Sequence, residues 1–599
     1  MQMGNRRGPG GRHNNFDRPA DKKKAFLRLM RYMLSFKWLL LLAFALTVLS
    51  NVFAMIGPAL SGAAIDCITA EGGVDFAGVG HYAFLMLLFY LGSSVMSYLL
   101  AILMVHISRR ITLKMRRDMF ERISDMPVKY VDTHPIGDII SRIFYDTDTI
   151  NTSLSSDVIS ILTSIITLTG SLIMMLSIAP SLVLIFLFTI PLSVALTAFI
   201  TRHTQPLFKK RSKKMGELND FSEEMITGMK TLKAYHQEEN TLDKLDVVNN
   251  EVADAYYRSE YYSSMMGPSV NFINNLSIAL VSVFGALQYM AGGLTLGDIS
   301  AFVQYSRKFS GPINEIANIY GDLQSALAAA DRVFNLLDEP LEPRDAEHAE
   351  PLHHAEGHVA MQEVSFGYEK NKPILKKLSF EARKGAMIAI VGPTGAGKTT
   401  LINLLMRFYD IDSGRMTVDG KNVDDMTRQS LRRAYSMVLQ DTWLFSGSIY
   451  DNIAYARPGA TREEVEEAAK AARIHNYIMS LPDGYDTVLT DDGTNISKGQ
   501  KQLLTIARAM LLDAQMLILD EATSNVDTRT EQKIQAAMRQ LMQGKTCFVI
   551  AHRLSTIRAA DHILVLDGGK VVEQGNHDTL MAQNGFYKKL YQAQFDAVS

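Results

Sequence analysis

The chain has 599 residues, 47% of them hydrophobic and 21% charged, and its 61 Lys and Arg against 63 Asp and Glu leave a formal charge of −2. That length admits about four domains at ~150 residues each, and the composition excludes a disordered polymer, a collagen and a disulfide-stapled miniprotein. The near-zero charge gives no global basic field for a nucleic-acid partner, and the two cysteines, Cys67 and Cys547, are too far apart to frame a fold.

Apolar residues are segregated along the chain. Residues 1–21 are rich in Gly, Arg and Asn, with little to bury, and read as a disordered tail. Over 22–36, Lys22, Lys23 and Lys24 precede Phe26, Leu29, Met30, Met33 and Leu34. Their i, i+3, i+4, i+7, i+8 spacing predicts a basic amphipathic elbow helix lying in the headgroup plane of a bilayer. A bilayer core of ~30 Å needs about 20 helical residues. Five stretches meet this: 38–60, 82–105, 158–178, 182–200 and 272–291. A sixth, 299–320, carries Arg307, Lys308 and Glu315 in its second half, charges that belong in a cytoplasmic extension or against a polar cavity. Together these predict a six-helix transmembrane domain over 37–325. Asn51, Asn271, Asn274, Asn275 and Gln288 within it suit either a cavity lining or interhelical hydrogen bonds.

Loop charges orient the spans. The connections 61–81, 179–180 and 292–297 contain no Lys or Arg. The alternate ones hold Arg109, Arg110, Lys114, Arg116 and Arg117, then Lys209, Lys210, Arg211, Lys213 and Lys214. Positive-inside bias therefore places both termini and the two long loops in the cytoplasm of a multi-pass cell-membrane protein. The polar N-terminus and long first apolar run are unlike a cleavable signal. The long loops, about 50 and 65 residues, read as continuations of the helices, because structureless connections of that length are uncommon. Turns fall at 132–137 and near Gly228. The acidic, Pro-rich stretch 338–357 reads as a solvated linker, and His348, His353, His354 and His358 lack the thiolate or helical spacing of a metal site.

From 358 to 599, short β-branched runs alternate with helical patterns, as in a soluble α/β domain. Its strongest motif is Gly392, Pro393, Thr394, Gly395, Ala396, Gly397, Lys398, Thr399 and Thr400, between a strand-like run and a helical one. Glycines let the backbone curl so that N–H groups face phosphate. The helix N-terminus adds its dipole, Lys398 reaches the β- and γ-phosphates of ATP, and Thr399 ligates Mg2+. A second strand ends in Asp520 and Glu521, placing one carboxylate on the Mg2+ shell and the next against the attacking water. A third delivers His552 to the same strand-end edge, where it suits a γ-phosphate sensor.

Between these lies Ile496-Ser497-Lys498-Gly499-Gln500, ahead of a helical run. With Gln440 after a strand and Tyr368 in Ser365-Phe366-Gly367-Tyr368, the set resembles the nucleotide-binding domain of ABC transporters. From residue 21 onward the whole chain resembles an ABC exporter half-transporter: six membrane helices fused to a C-terminal α/β P-loop ATPase. The resemblance implies that Tyr368 stacks on adenine and that Gln440 reaches Mg2+ and the attacking water. It implies that the loop Ser524–Asp527 runs across a dimer axis, and that the tips near 130–135 and 224–230 are coupling helices. It also implies that Ser497, Gly499 and Gln500 close over ATP held by a second chain, so the working unit is a dimer.

Two residues depart from the family pattern: Lys498 replaces a signature glycine, and Asn525 stands where alanine is common. An intact half-site beside an altered signature resembles one subunit of the asymmetric bacterial heterodimers. The expected partners are thus a second half-transporter, the lipid bilayer and an amphipathic small molecule, lipid or peptide, with no nucleic acid. Alternatives are a homodimeric lipid or peptide exporter or flippase, an importer of the exporter fold, and an ATP-gated channel. With no peptidase ahead of the elbow, coupled processing of a peptide cargo is not expected.

Overall fold

The computed structural model describes residues 22–68, 73–369, 372–439, 442–490, 496–520, 527–551 and 554–595. Contacts divide them into two units: one holds the described residues through Asp125 and His134–Glu339, the other Met126–Thr133 and those from Pro340 on.

The first unit is helical throughout. Five of its stretches are long and apolar enough to cross a membrane: Lys37–Ile68, Phe76–Ser124, Ile136–Ile178, Pro180–Thr227 and Glu238–Met290. The expected sixth span lies in Leu296–Asp338, which packs along Lys37–Ile68 and Val158–Ile178. Arg307, Lys308 and Glu315 set it apart from the five. Phe76–Ser124 has 49 residues and Pro180–Thr227 has 48. At ~1.5 Å per residue each is about 72 Å long, far beyond a bilayer core, so the loops are helical extensions. Two π-helical turns, Arg142–Asp146 and Ser153–Asp157, interrupt the third stretch. Asp146 is buried there and takes a two-pronged ion pair from Arg332, at 2.9 and 2.5 Å.

Polar residues in the spans find local partners. Asn51 donates to Thr47 O and accepts from Thr167, and Gln288 donates to Ser181 at 2.7 Å. Gly62 and Gly297 let two helices approach closely, since a Cβ on Gly62 would meet Gly297 O at 2.6 Å. The elbow forms the helix Lys22–Leu34. It buries Ala25, Leu29 and Met33 against protein, while Phe26 and Leu34 stay exposed. Arg28 lies 4.5 Å over the Phe334 ring and pairs with Asp338 at 2.6 Å, and Tyr32 donates to Asp118. Part of its apolar stripe, Leu29 and Met33, is thus buried against protein, and the elbow packs on the helix Leu296–Asp338.

The second unit is α/β. A six-stranded sheet runs in the order β12-β11-β3-β10-β9-β6. These are Lys570–Gly575, His562–Asp567, Met387–Val391, Thr546–Ile550, Met516–Asp520 and Tyr435–Val438. All but β12 are parallel. Alternate residues feed two separate cores: Ala389, Leu517, Leu519, Cys547 and Val549 on one face, Ile388, Ile390, Ile518, Phe548 and Ile550 on the other. Such strands are buried on both faces, hence their continuous apolar runs. The second core also receives the helix Lys398–Leu405 and an antiparallel sheet. That sheet has the order β2-β1-β4-β5, with β1 Val359–Phe366, β2 Leu375–Ala382, β4 Ser413–Val418 and β5 Lys421–Asn422. The remaining hairpin pairs β7, Gly447–Ser448, with β8, Val488–Leu489. Cys67 and Cys547 are free thiols, and burial pushes Cys547 up to about 12.

The linker residues beyond Glu339 are mostly exposed, and several of them are tied to this unit by hydrogen bonds and ion pairs. Arg428, almost fully buried, grips Asp410 with two bonds of 2.7 and 2.8 Å, Asp345 at 3.1 Å and Pro343 O at 2.9 Å. Arg432 takes Glu342, while His348 and His358 pair with Asp425 and Glu381. Arg428→Ala removes the closer of two cations from these carboxylates and leaves them Arg407, 3.2 Å from Asp410 and 3.9 Å from Asp345. Because both carboxylates are partly open to water, the expected cost is about 2 kcal/mol rather than the 3–5 of a fully buried pair. Calorimetry of the full chain should show the ATPase-domain transition lowered by about 4–8 °C. An unchanged midpoint would mean that the clamp contributes nothing.

Candidate nucleotide-binding site

The parallel sheet orders the chemistry. β3, β10, β9 and β6 are consecutive neighbours, in register at Ile390, Ile550, Asp520 and, beside Leu519, Val438. Their C-terminal ends form one edge, the side on which open parallel sheets hold ligands. β3 runs into the loop at Gly392, and β9 ends on Asp520. β10 and β6 end shortly before His552 and Gln440. Gln440, Glu521, Asn525 and His552 themselves lie outside the described residues.

The loop Gly392–Gly397 is shaped for an anion. Gly395 and Gly397 have φ of +81° and +103°, which a side chain would strain, and a Cβ on Gly397 would meet Leu375 at 2.7 Å. Gly397 caps the helix Lys398–Leu405 with no side-chain bond, so the first-turn N–H groups of Lys398, Thr399 and Thr400 have no acceptor within the helix. Lys398 Nζ donates to Gly392 O at 2.7 Å and Pro393 O at 3.0 Å. Burial holds its ammonium below the usual lysine range, partly offset by the Asp520 carboxylate nearby. The donor set suits a polyphosphate: converging N–H groups, one desolvated cation and a carboxylate to balance a metal.

Tyr368 stands beside this loop, partly exposed. Its hydroxyl donates to Thr400 Oγ1 at 3.3 Å and accepts from Asn403 at 3.2 Å. Its ring packs edge-on against Phe366 and Tyr409, with centroids 5.1 and 5.0 Å apart. Tyr409 in turn donates to Asp132 at 2.6 Å, on the short helix Val128–Thr133. Asn403 and Tyr409 escaped the sequence reading, since an amide and an aromatic at a helix end carry no spacing that marks a site.

Ser497 caps the helix Lys498–Leu512 in a reciprocal box with Gln500: Gln500 N donates to Ser497 Oγ at 3.3 Å, and Ser497 N to Gln500 Oε1 at 2.8 Å. Capping uses the serine as acceptor and leaves its O–H able to donate. Ser497 and Lys498 are exposed, and Gly499 is buried. This helix packs on Ile449–Ala454, Arg462–Ala471 and Thr528–Met542. Among the described residues no hydrogen bond joins Ser497–Gln500 to the phosphate loop.

The comparisons agree with this geometry. Residues 40–313 match the model of the ABC transporter transmembrane region, and 375–524 that of the ABC transporter domain. The uncharacterized ABC transporter ATP-binding protein YfiC of Bacillus subtilis is 41% identical, over 96% of this chain and 95% of that protein. This chain is an ABC transporter. A fatty acid ABC transporter ATP-binding/permease protein of Mycobacterium tuberculosis is 45% identical, over 87% of this chain and 82% of that one. Among solved structures, a bacterial Atm1-family ABC exporter with ATP bound superposes with a TM-score of 0.76 at 31% identity, covering 93% of this chain and 98% of that one. The architecture is that of an ABC exporter half-transporter: a membrane domain fused to an ATP-hydrolysing domain. The phosphate loop has Asp520 near Lys398 at the strand-end edge, and Tyr368 reaches Thr400 on the helix that follows the loop. The signature serine of the same ABC domain belongs to a different helix and shares no hydrogen bond with them.

Proposed function

We propose that the chain is one half of a heterodimeric, ATP-driven exporter of amphipathic or hydrophobic compounds. It sits in the cell membrane with both termini and the ATPase domain in the cytoplasm. Tyr368 stacks on adenine, and the N–H groups of the loop through Gly392, Pro393, Thr394, Gly395, Ala396 and Gly397 cradle the phosphates. Lys398 exchanges its loop carbonyls for the β- and γ-phosphates. Thr399, Asp520 and Gln440 would hold Mg2+, which would supply charge neutralisation for phosphoryl transfer. Glu521 orients the attacking water and His552 senses the γ-phosphate. Closure of the site by another chain's signature helix drives the membrane helices from inward- to outward-facing.

The single observation that carries the asymmetry is Lys498, exposed in the first turn of the signature helix. A cation there opposes the helix dipole by about 0.3–1 kcal/mol, a cost that a bound phosphate removes. The side chain also occupies space in which glycine would let backbone approach the γ-phosphate. ATP is therefore retained but poorly hydrolysed across from Lys498, while this chain's own phosphate loop works against a partner's unaltered signature. The relative named for fatty acid transport supports an amphipathic cargo. The test is reconstitution of the full chain in liposomes, alone and with a co-purified second half-transporter. ATP turnover and accumulation of a fluorescent amphiphile should require both chains. Full-rate hydrolysis and transport by this chain alone overturns the heterodimer.

A further inference from the structure

Pro58 lies inside the membrane helix Lys37–Ile68. Having no N–H, it leaves the carbonyl of Ala54, four residues earlier, without its helical donor. That carbonyl accepts from Lys308 Nζ at 2.5 Å, and the next one, Met55 O, accepts from the fully buried Tyr305 at 2.6 Å. Two residues of Leu296–Asp338 thus staple Lys37–Ile68 at its proline. Lys308 stands twelve residues into its helix, about 18 Å from that end, at a depth that falls within a ~30 Å hydrocarbon core. Its neighbour Arg307 is exposed at the same level.

A neutral donor would satisfy one carbonyl. Lys308 instead brings three N–H groups and a full charge to a place where a charged side chain is costly and rare. One N–H is used by Ala54, and among the described residues no carboxylate forms an ion pair with Lys308. An ammonium held at fixed position, half-buried, with two donors to spare and no counter-charge among those residues, is a receptor for an anion. Within the bilayer that anion arrives attached to an apolar chain.

We infer that Lys308, steered by the carbonyl that Pro58 frees, binds the anionic headgroup, carboxylate or phosphate, of an amphiphile in the membrane domain. The inference rests on the export reading above and gives it a substrate class. Its test reads equilibrium binding without nucleotide, so failure of ATP-driven transport would fault that reading and leave this one standing.

The full chain, with its partner if one co-purifies, is placed in phosphatidylcholine nanodiscs. Binding of radiolabelled oleate is compared with that of octadecyltrimethylammonium, a cation of equal chain length. Lys308→Met is expected to weaken oleate binding at least tenfold and leave the cation unchanged, and Lys308→Arg to keep oleate within about threefold. Excess palmitate should displace oleate and excess acetate should not. The double variant Pro58→Ala with Lys308→Met returns an N–H to Ala54 O and so repairs the staple without the charge. Continued loss of oleate in it supports a headgroup site, and recovered binding overturns the proposal in favour of a purely structural lysine. Unaltered oleate binding in Lys308→Met, equal loss of both amphiphiles, or displacement by acetate would each overturn it too.

Discussion

Glu521→Gln is expected to lower steady-state ATP turnover by about two to three orders of magnitude while leaving ATP binding intact. The substitution keeps the size of the side chain and removes only its capacity to accept a proton from the attacking water. Asp520, one residue earlier at the end of β9, sits near Lys398 and balances its charge, so the adjacent phosphate contacts are untouched. Nucleotide should therefore stay bound in a closed dimer that seldom turns over. Filter binding of labelled ATP and phosphate release, measured on the same preparation, separate the two effects. Residual turnover near the wild-type rate would assign the base elsewhere.

Lys398→Ala should act on the other side of that balance. The ammonium is already desolvated and bonded to Gly392 O and Pro393 O, so moving to a phosphate exchanges weak acceptors for charged ones. Charge-assisted bonds of this kind contribute about 1.5–3 kcal/mol each. The expected result is ATP affinity reduced by about 100-fold, from roughly two such bonds lost less what water recovers. Hydrolysis should fall below detection. Stability should hardly change, because the side chain's bonds stay within its own loop. Calorimetry and ATP titration together decide the matter: a lowered midpoint with preserved affinity would make Lys398 a structural residue.

Both predictions concern residues that local sequence pattern marks by itself. The phosphate loop was legible because its requirements are local: glycines with positive φ, a strand before them and a helix after. The spans were legible because a bilayer core demands about 20 apolar residues in succession. Strand ends carrying Asp520 and preceding Gln440 and His552 followed from continuous apolar runs, and parallel pairing put them on one edge. The signature segment declared itself by motif, and its resemblance already implied that it serves another chain's phosphate loop.

Pairings between distant polar groups were not legible. The linker reads as solvated and is mostly exposed, yet Arg428 and Arg432, more than eighty residues on, draw Asp345 and Glu342 onto the ATPase domain. The elbow's apolar stripe gave its periodicity but not its audience, which proved to be partly Phe334 and its helix. Tyr409 and Asp132 meet across 277 residues, and Lys308 and Ala54 across 254. The amino-acid sequence by itself determined the membrane half, the ATPase half and the phosphate-binding chemistry, because helix period, strand burial and glycine dihedrals depend on neighbours a few residues away. Tertiary structure alone decided which carboxylate each arginine takes and which carbonyl the membrane lysine takes. A long charged side chain fits many partners equally well in sequence, and only packing of the apolar framework leaves one within reach.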